Sequence, residues 1–288
     1  MTPTREELVA RASNAAVDSL HPLSGGSISD VCRVEFRGGG RRVAKFAHPE
    51  LLEEEAEGLE ALRRTGTVRV PEVQALIADG DCGMLLMEAL PTGGQADWAA
   101  FGRTLAGLHR TPVGDRYGFS RNNHLGTTLQ INHWMEDWTR FNLEQRHGPL
   151  VEGLACEGDL VGPDLEIVQR ALVAFDVILP RRPVPSLLHG DLWSGNALSL
   201  VGGEVGVIDP APSVGDALAD IAMMQLFGGF PEACFAGYLE CGGVAFEPIR
   251  LSVYRLYHLL NHQRIFGGGY RSGVLRECRL ILEGVGRV

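Results

Sequence analysis

The 288 residues contain no apolar run long enough to span a membrane, no C-x-x-C pair, no surplus of positive charge, and no internal repeat or low-complexity tract. Each absence removes a class of protein. A membrane-spanning helix needs about 20 consecutive, mostly apolar residues, so none is expected. The opening stretch MTPTREELVARASNAAV has no apolar signal core, so export is not expected. The six cysteines, at 32, 82, 156, 234, 241 and 278, follow no zinc-type spacing. A chain of this length does not need a disulfide framework, and a reduced, cytoplasmic setting is the expectation. With 26 Lys and Arg against 36 Asp and Glu, the net charge is −10. That argues against nucleic acid as a partner, which needs a basic face. The pairs Arg41-Arg42, Arg63-Arg64 and Arg181-Arg182 are scattered and read as solvated surface. What is present in bulk is ordinary: 45% hydrophobic content supports a real core, in one large domain or two small ones.

One stretch stands out, SLLHGDLWSGN at 186–196. An apolar run enters His189-Gly190-Asp191, and Asn196 follows five residues after Asp191. A second apolar run, Val205–Ile208, ends in Asp209. A carboxylate to take a hydroxyl proton, with an Asn and a second Asp to hold metal on nucleotide phosphates, is what phosphoryl transfer requires. The pattern D-x4-N alone is weak, and a second copy stands at Asp137 and Asn142. That copy lies where Trp134, Trp138 and Phe141 recur at helical spacing, and residues five apart on a helix face away from each other. The copy at Asp191 lies between two strand-like runs, which is the right context. The plain alternative for Asp191 is a turn former after a strand.

Earlier in the chain, Thr4 and Glu7 form a capping-box pattern opening a helix to about Leu20. Gly25-Gly26-Ser27 turns between strand-like segments, and a glycine turn lets backbone amides approach phosphate oxygens. Taken alone it reads as an ordinary hairpin, since the full G-x-G-x-x-G is missing. Val31–Phe36 and Arg42–Phe46 read as strands, the second placing Lys45 within reach of the same phosphates. Pro49–Arg64 reads as a helix whose Glu55 is placed to pair with Lys45, its other carboxylates being a solvated face. Two further strands, 71–78 and 84–88, lead into the hinge-like PTGG. From Gln95 the pattern is helical, with loop at 111–130, helices at 131–148 and about 164–178, a hairpin at 197–209, and helices near 217–227, 231–240, 247–265 and 272–284. Asp216 and Asp220 sit near a helix start, where capping is at least as good a role as catalysis. His258 and His262 lie four apart, but no glutamate follows His258 as in H-E-x-x-H, so a zinc site is not expected.

With these residues placed, the chain resembles the fructosamine kinase (ketosamine-3-kinase) family, from about Pro22 to Leu280. The resemblance rests on LLHGDLWSGN at 187–196, IDPA at 208–211, LFGGFP at 226–231, LYHLLNH at 256–262, QINHWMEDWTRF at 130–141, GGSIS at 25–29 and EEEAEGLEAL. It implies an α+β, two-lobed protein-kinase-like fold, related to the aminoglycoside and choline kinases. The expected division is a small nucleotide-binding lobe of antiparallel sheet over 1–90 and a larger, mainly helical lobe over 91–288. The implied reaction is ATP-dependent phosphorylation of the 3-hydroxyl of a fructosamine or ribulosamine, on a small molecule or a glycated protein, with Mg²⁺ as cofactor.

By the same resemblance Asp191 is the general base, and Asn196 and Asp209 are the metal ligands. Gly25, Gly26, Ser27 and Lys45, with Glu55 positioning Lys45, bind the ATP phosphates. Backbone groups of Glu88, Ala89 and Leu90 take the adenine. Trp193 stacks on the sugar-amine, since an aromatic face suits a cationic amine; its bland role is core packing. Asn261 and His262 line the acceptor pocket. Two departures stand out. The aromatic-Gly-His or aromatic-Gly-Asp that often follows IDPA is here Ser213-Val214-Gly215-Asp216, and Ser27 stands where some members carry a linking cysteine. Cys32 reads as buried. Alternatives are a kinase of aminoglycosides or other amino alcohols, whose pocket gathers carboxylates, and a non-catalytic nucleotide-binding module.

Overall fold

The computed structural model describes residues 3–23 and 29–286. Helix α1 (Arg5–Ser13) starts at a capping box: the Glu7 amide donates to the Thr4 hydroxyl, and the Thr4 amide donates to the Glu7 carboxylate. The helix does not run to Leu20 as the sequence suggested. Asn14 takes the left-handed conformation at φ 52°, which ends helices, and the chain reverses into strand β1 (Val17–Pro22). Strands β2 (Asp30–Phe36) and β3 (Arg41–Ala47), helix α2 (Pro49–Arg64), and strands β4 (Val73–Asp79) and β5 (Cys82–Glu88) follow. The five strands form an antiparallel sheet in the order β1-β2-β3-β5-β4.

Both faces of this sheet are covered, which is why β5 is apolar along its length. Leu85 and Met87 join Leu52, Leu59 and Leu62 of α2, while Met84 and Leu86 join Leu8 and Val9 of α1. Alternate strand residues face opposite sides. Lys45 pairs with Leu85 in the register and therefore points to the α2 side, toward Glu55.

The remainder is mainly helical, which completes a two-lobed, protein-kinase-like α+β architecture. Helix α3 (Trp98–His109) precedes a hairpin of β6 (Asn123–Leu125) and β7 (Thr128–Gln130). Helix α4 (Trp138–Asn142) runs through one π turn at Leu143–His147 into α5 (Gly148–Glu157), followed by α6 (Gly162–Val173) and α7 (Phe175–Ile178). Strand β8 (Pro185–Leu188) pairs with β11 (Ser213–Asp216), and between them lies the hairpin of β9 (Ala197–Ser199) and β10 (Val205–Val207). Helices α8 (Leu218–Leu226), α9 (Glu232–Glu240), α10 (Pro248–Phe266) and α11 (Arg271–Val285) close the chain. Helices α3 and α9 cross in backbone contact: a Cβ on Gly102 would lie 1.9 Å from the Cys234 carbonyl oxygen, and one on Gly237 would lie 2.2 Å from that of Ala99.

The β6–β7 hairpin lies in a stretch read as loop, and residues 131–137 are not helical. The letters there are polar, but the amides are interior. Asn132 and Gln130 both donate to the Asn123 side-chain oxygen, at 2.9 and 3.1 Å, and Asn123 donates to the Pro212 carbonyl at 2.8 Å. The second D-x4-N is structural, as expected. Asp137 caps α4 through the Arg140 amide at 3.0 Å, and Asn142 donates to the Trp138 carbonyl at 2.8 Å.

Two buried histidines set a stability limit. Burial holds His147 down to about 4 and His258 down to about 3, from an ordinary 6.5. His147 Nε2 donates to the Val253 carbonyl at 3.0 Å. An unfolded chain takes protons at these sites below pH 6.5 and the folded chain does not, so protonation favours unfolding. Stability from these groups is full above pH 6.5 and is withdrawn as pH falls toward 4. Urea unfolding is expected to lose about 6 kcal/mol over that interval, roughly half from each histidine, and His147→Gln to flatten the slope. An unchanged slope in the variant overturns the assignment.

Candidate active site

The loop after β8 is held from behind by Asp220, on the first turn of α8. Its two carboxylate oxygens accept the amides of His189 and Gly190, each at 2.8 Å, and His109 Nε2 lies 3.2 Å from the same carboxylate. Burial would raise the Asp220 pKa, but these donors outweigh it and hold it below the usual carboxylate range. The role is structural, as with a cap, but the amides it satisfies belong to the loop and not to the helix. Asp216 does act partly as a cap, accepting the Leu218 amide at 3.1 Å, and its other oxygen accepts the Tyr254 hydroxyl at 2.6 Å and Arg250. His189 donates through Nε2 to the Ile208 carbonyl at 3.0 Å, and its own carbonyl accepts the Ala211 amide at 2.9 Å. Gly190 sits at φ +83°, and a Cβ there would lie 1.9 Å from the Ala211 oxygen. Only glycine lets these two loops approach so closely.

Asp191, Asn196 and Asp209 are brought together, although 18 residues separate the first from the last. Asn196 donates its side-chain amide to the Asp191 carbonyl at 2.8 Å and to the Asp191 carboxylate at 3.2 Å. Its own carbonyl accepts the Ile208 amide at 3.1 Å, next to Asp209. Asp209 takes φ 54°, strained for a non-glycine residue, and turns toward Lys45, whose Nζ lies 3.0 Å from Asp209 Oδ1 and 2.6 Å from Glu55 Oε2. Burial pulls Lys45 down, but the two carboxylates outweigh it and its pKa is raised. Glu55 is pushed up to about 7 by burial, against the pull of Lys45. Asp191 is pushed up to about 7 by burial and then by the charge of Asp209. Lys45 is the only lysine in the chain.

These groups line a cavity of about 550 Å³. Its opposite wall is aromatic. The His262 ring lies 4.8 Å from Phe227, 5.1 Å from Tyr270 and 5.6 Å from Phe266, centroid to centroid. Trp193 is 37% exposed and covers Gly195, whose Cβ would lie 2.1 Å from the indole. It faces the cavity rather than the core. Asn261 donates to the Leu125 carbonyl at 3.3 Å and leaves its side-chain oxygen buried without a partner. His262 Nδ1 donates to the His258 carbonyl at 2.8 Å, and burial lowers its pKa. The Glu88 side chain is committed to Arg69 and to the Glu72 amide at 3.3 Å. Ala89 and Leu90 follow β5 without strand pairing. Gly25, Gly26 and Ser27 lie outside the described residues. Cys32 is buried.

Sequence reasoning missed Asp220 as a loop anchor, His109 behind it, and the aromatic wall. The i, i+4, i+8 spacing of His262, Phe266 and Tyr270 was the available signal for the wall. Nothing along the chain pairs His109 with Asp220.

A family model described as fructosamine kinase matches residues 1–283. A Vibrio vulnificus protein named "Probable ketoamine kinase" is 37% identical over 274 residues, covering 93% of each chain. A Thermus thermophilus protein of the same name is 38% identical over 274 residues, covering 93% of this chain and 96% of that one. Among solved structures, a "putative fructosamine-3-kinase" from Thermobifida fusca superposes with a TM-score of 0.88 at 27% identity, covering 98% of this chain and all of that one. A thermostable aminoglycoside phosphotransferase, APH(4)-Ia, shares the fold at a TM-score of 0.65 and 14% identity, over 97% of this chain and 98% of that one. Among the described residues no helix is long and apolar enough to cross a membrane.

Proposed function

Since the chain belongs to the fructosamine kinase family, we propose that it transfers the γ-phosphoryl group of ATP to the 3-hydroxyl of a ketosamine, a fructosamine or ribulosamine. Residues 1–90 hold the nucleotide in this reading, and 91–288 supply the base and the acceptor pocket. Lys45, oriented by Glu55, binds the phosphates, and the backbone at 88–90 takes the adenine. Asp191 accepts the proton of the 3-hydroxyl as that oxygen bonds to the γ-phosphorus and the bond to the leaving ADP breaks. Asn196 and Asp209 suit Mg²⁺. Asn196 spends its amide N–H groups on Asp191 and keeps its amide oxygen. Asp209 keeps one oxygen clear of Lys45 on a 41% exposed side chain. Oxygen ligands of this kind are what Mg²⁺ takes, and when bound the ion neutralises phosphate charge. Trp193, Asn261 and His262 face the acceptor.

The observation that carries the substrate class is the absence of spare acid. The carboxylates among the described lining residues are Glu54, Glu55, Asp191 and Asp209. Glu54 is paired with His124, Glu55 and Asp209 with Lys45, and Asp191 is the proposed base. None remains for a polycationic aminoglycoside, whereas an aromatic wall suits a sugar carrying a single amine. The test is phosphate transfer from Mg²⁺-ATP to a panel of fructosamines, ribulosamines and aminoglycosides, free and on protein. Turnover of ketosamines alone is expected. Turnover of aminoglycosides alone overturns the substrate class, and nucleotide binding with no turnover overturns the catalytic reading.

A chain with one lysine allows a direct check of the nucleotide site. Acetylation of Lys45, read by peptide mass spectrometry, is expected to slow about ten-fold or more when a non-hydrolysable ATP analogue and Mg²⁺ are present at 100 times the dissociation constant. Equal rates would place the phosphates elsewhere.

A further inference from the structure

Helix α2 is held on two sides. Glu55 faces Lys45. The preceding residue, Glu54, is buried and accepts a hydrogen bond from His124 Nδ1 at 2.9 Å, across to the β6–β7 hairpin of the other lobe. His124 itself lines the cavity. The neighbouring contacts run the same way: Arg121 lies 3.4 Å from Glu53, and the Ser120 hydroxyl donates to Glu57. Two of these three are exposed, and exposed pairs contribute little. The Glu54–His124 pair is the one with a buried carboxylate. The hairpin is in turn tied to the segment after Asp209, through Asn123 donating to the Pro212 carbonyl at 2.8 Å. Gly58 of α2 packs on Pro210 and Pro212, where an added Cβ would meet both rings at 3.1 Å. Helix, hairpin and Asp209 loop thus meet at one junction.

We propose that His124 is a positioning residue: through Glu54 it latches α2 to the acceptor lobe, and so keeps Glu55 against Lys45. Because His124 faces the cavity, whatever moves it from the acceptor side moves the grip on Lys45. The kinetic consequence rests on the proposed phosphotransfer. The structural one does not, and the single lysine makes it measurable without any substrate.

The experiment follows acetylation of Lys45 by a water-soluble N-hydroxysuccinimide ester in the apo protein, by peptide mass spectrometry. His124→Ala and His124→Leu are expected to speed labelling about five-fold, the size of a lost coupling between contacting residues. His124→Asn places an amide N–H near the Nδ1 position and is expected to restore the wild-type rate. Arg63→Ala, on the exposed side of α2, is the control and leaves the rate unchanged. If the alanine variant does not fold, the leucine variant, which fills the same space, decides. In the phosphotransfer assay the KM for ATP rises with the labelling rate. Wild-type labelling in both the Ala and Leu variants overturns the latch, and so does labelling as fast in Asn as in Ala. No turnover with wild-type protein on any acceptor would sink the proposed reaction and leave the labelling result standing.

Discussion

Asp191→Asn is expected to cut phosphoryl transfer about a thousand-fold while the chain still folds, still binds nucleotide and gains stability. The argument starts from size. Asn matches Asp in shape, so its side-chain oxygen keeps the hydrogen bond from Asn196, and the Asn196 bond to the residue 191 carbonyl is untouched. What it cannot do is take a proton from a sugar hydroxyl. The stability gain follows from the charge removed. Burial and Asp209 push the folded-state pKa up to about 7 from 3.8. A carboxyl raised in this way contributes its full stability below pH 3.8 and loses it as pH rises through 7. At pH 8 the native chain therefore carries an unfavourable buried charge, and Asn relieves up to about 4 kcal/mol. Rate and urea stability measured on one preparation test both halves. Retention of a tenth of the native kcat would remove Asp191 from the role of base. A loss of stability at pH 8 would contradict the charge argument.

Asp220→Ala is the second large effect, and it acts at a distance from the cavity. The substitution leaves the His189 and Gly190 amides without their acceptors and the His109 ring without its carboxylate, all in the interior. Uncompensated buried polar groups cost about 1–3 kcal/mol each, and breaking a buried charged cluster typically costs about 3–5 kcal/mol in all. A loss in that range is expected in urea unfolding, together with a collapse of kcat, because Asp191 is carried by the loop that these bonds hold. Asp220→Asn is expected to fall between the two, since one amide oxygen can still accept one of the two amides while its NH₂ group confronts the other. A loss below about 1 kcal/mol for the alanine variant would mean that the loop finds its shape without the anchor.

The difference between Asp191 and Asp220 also marks where reading along the chain stops. Asp191, Asn196, Asp209, Lys45 and Glu55 were legible because each belongs to a local pattern. A strand delivers the acid, a fixed spacing follows, and a helix after β3 presents a glutamate. The sheet was legible for the same reason, since a strand covered on both faces has to be apolar throughout, as β5 is. The β6–β7 hairpin was not legible. Its Asn and Gln side chains read as solvated loop, but their partners, Pro212 and each other, are set by packing. The end of α1 was lost to a single Asn that takes the left-handed conformation.

Periodicity, punctuation and spacing along the chain determined that this protein has a small sheet and a larger helical part, and which oxygens converge on the cavity. Folding alone decided what stands behind and between them: His109 with Asp220 under the loop, His124 with Glu54 across the lobes, and the ring wall of Phe227, His262, Phe266 and Tyr270. The physical reason is range. Backbone propensity and side-chain alternation act over a few residues and leave a signal in one dimension. A buried hydrogen bond between residues about a hundred positions apart depends on which helices pack together, and no local preference encodes that.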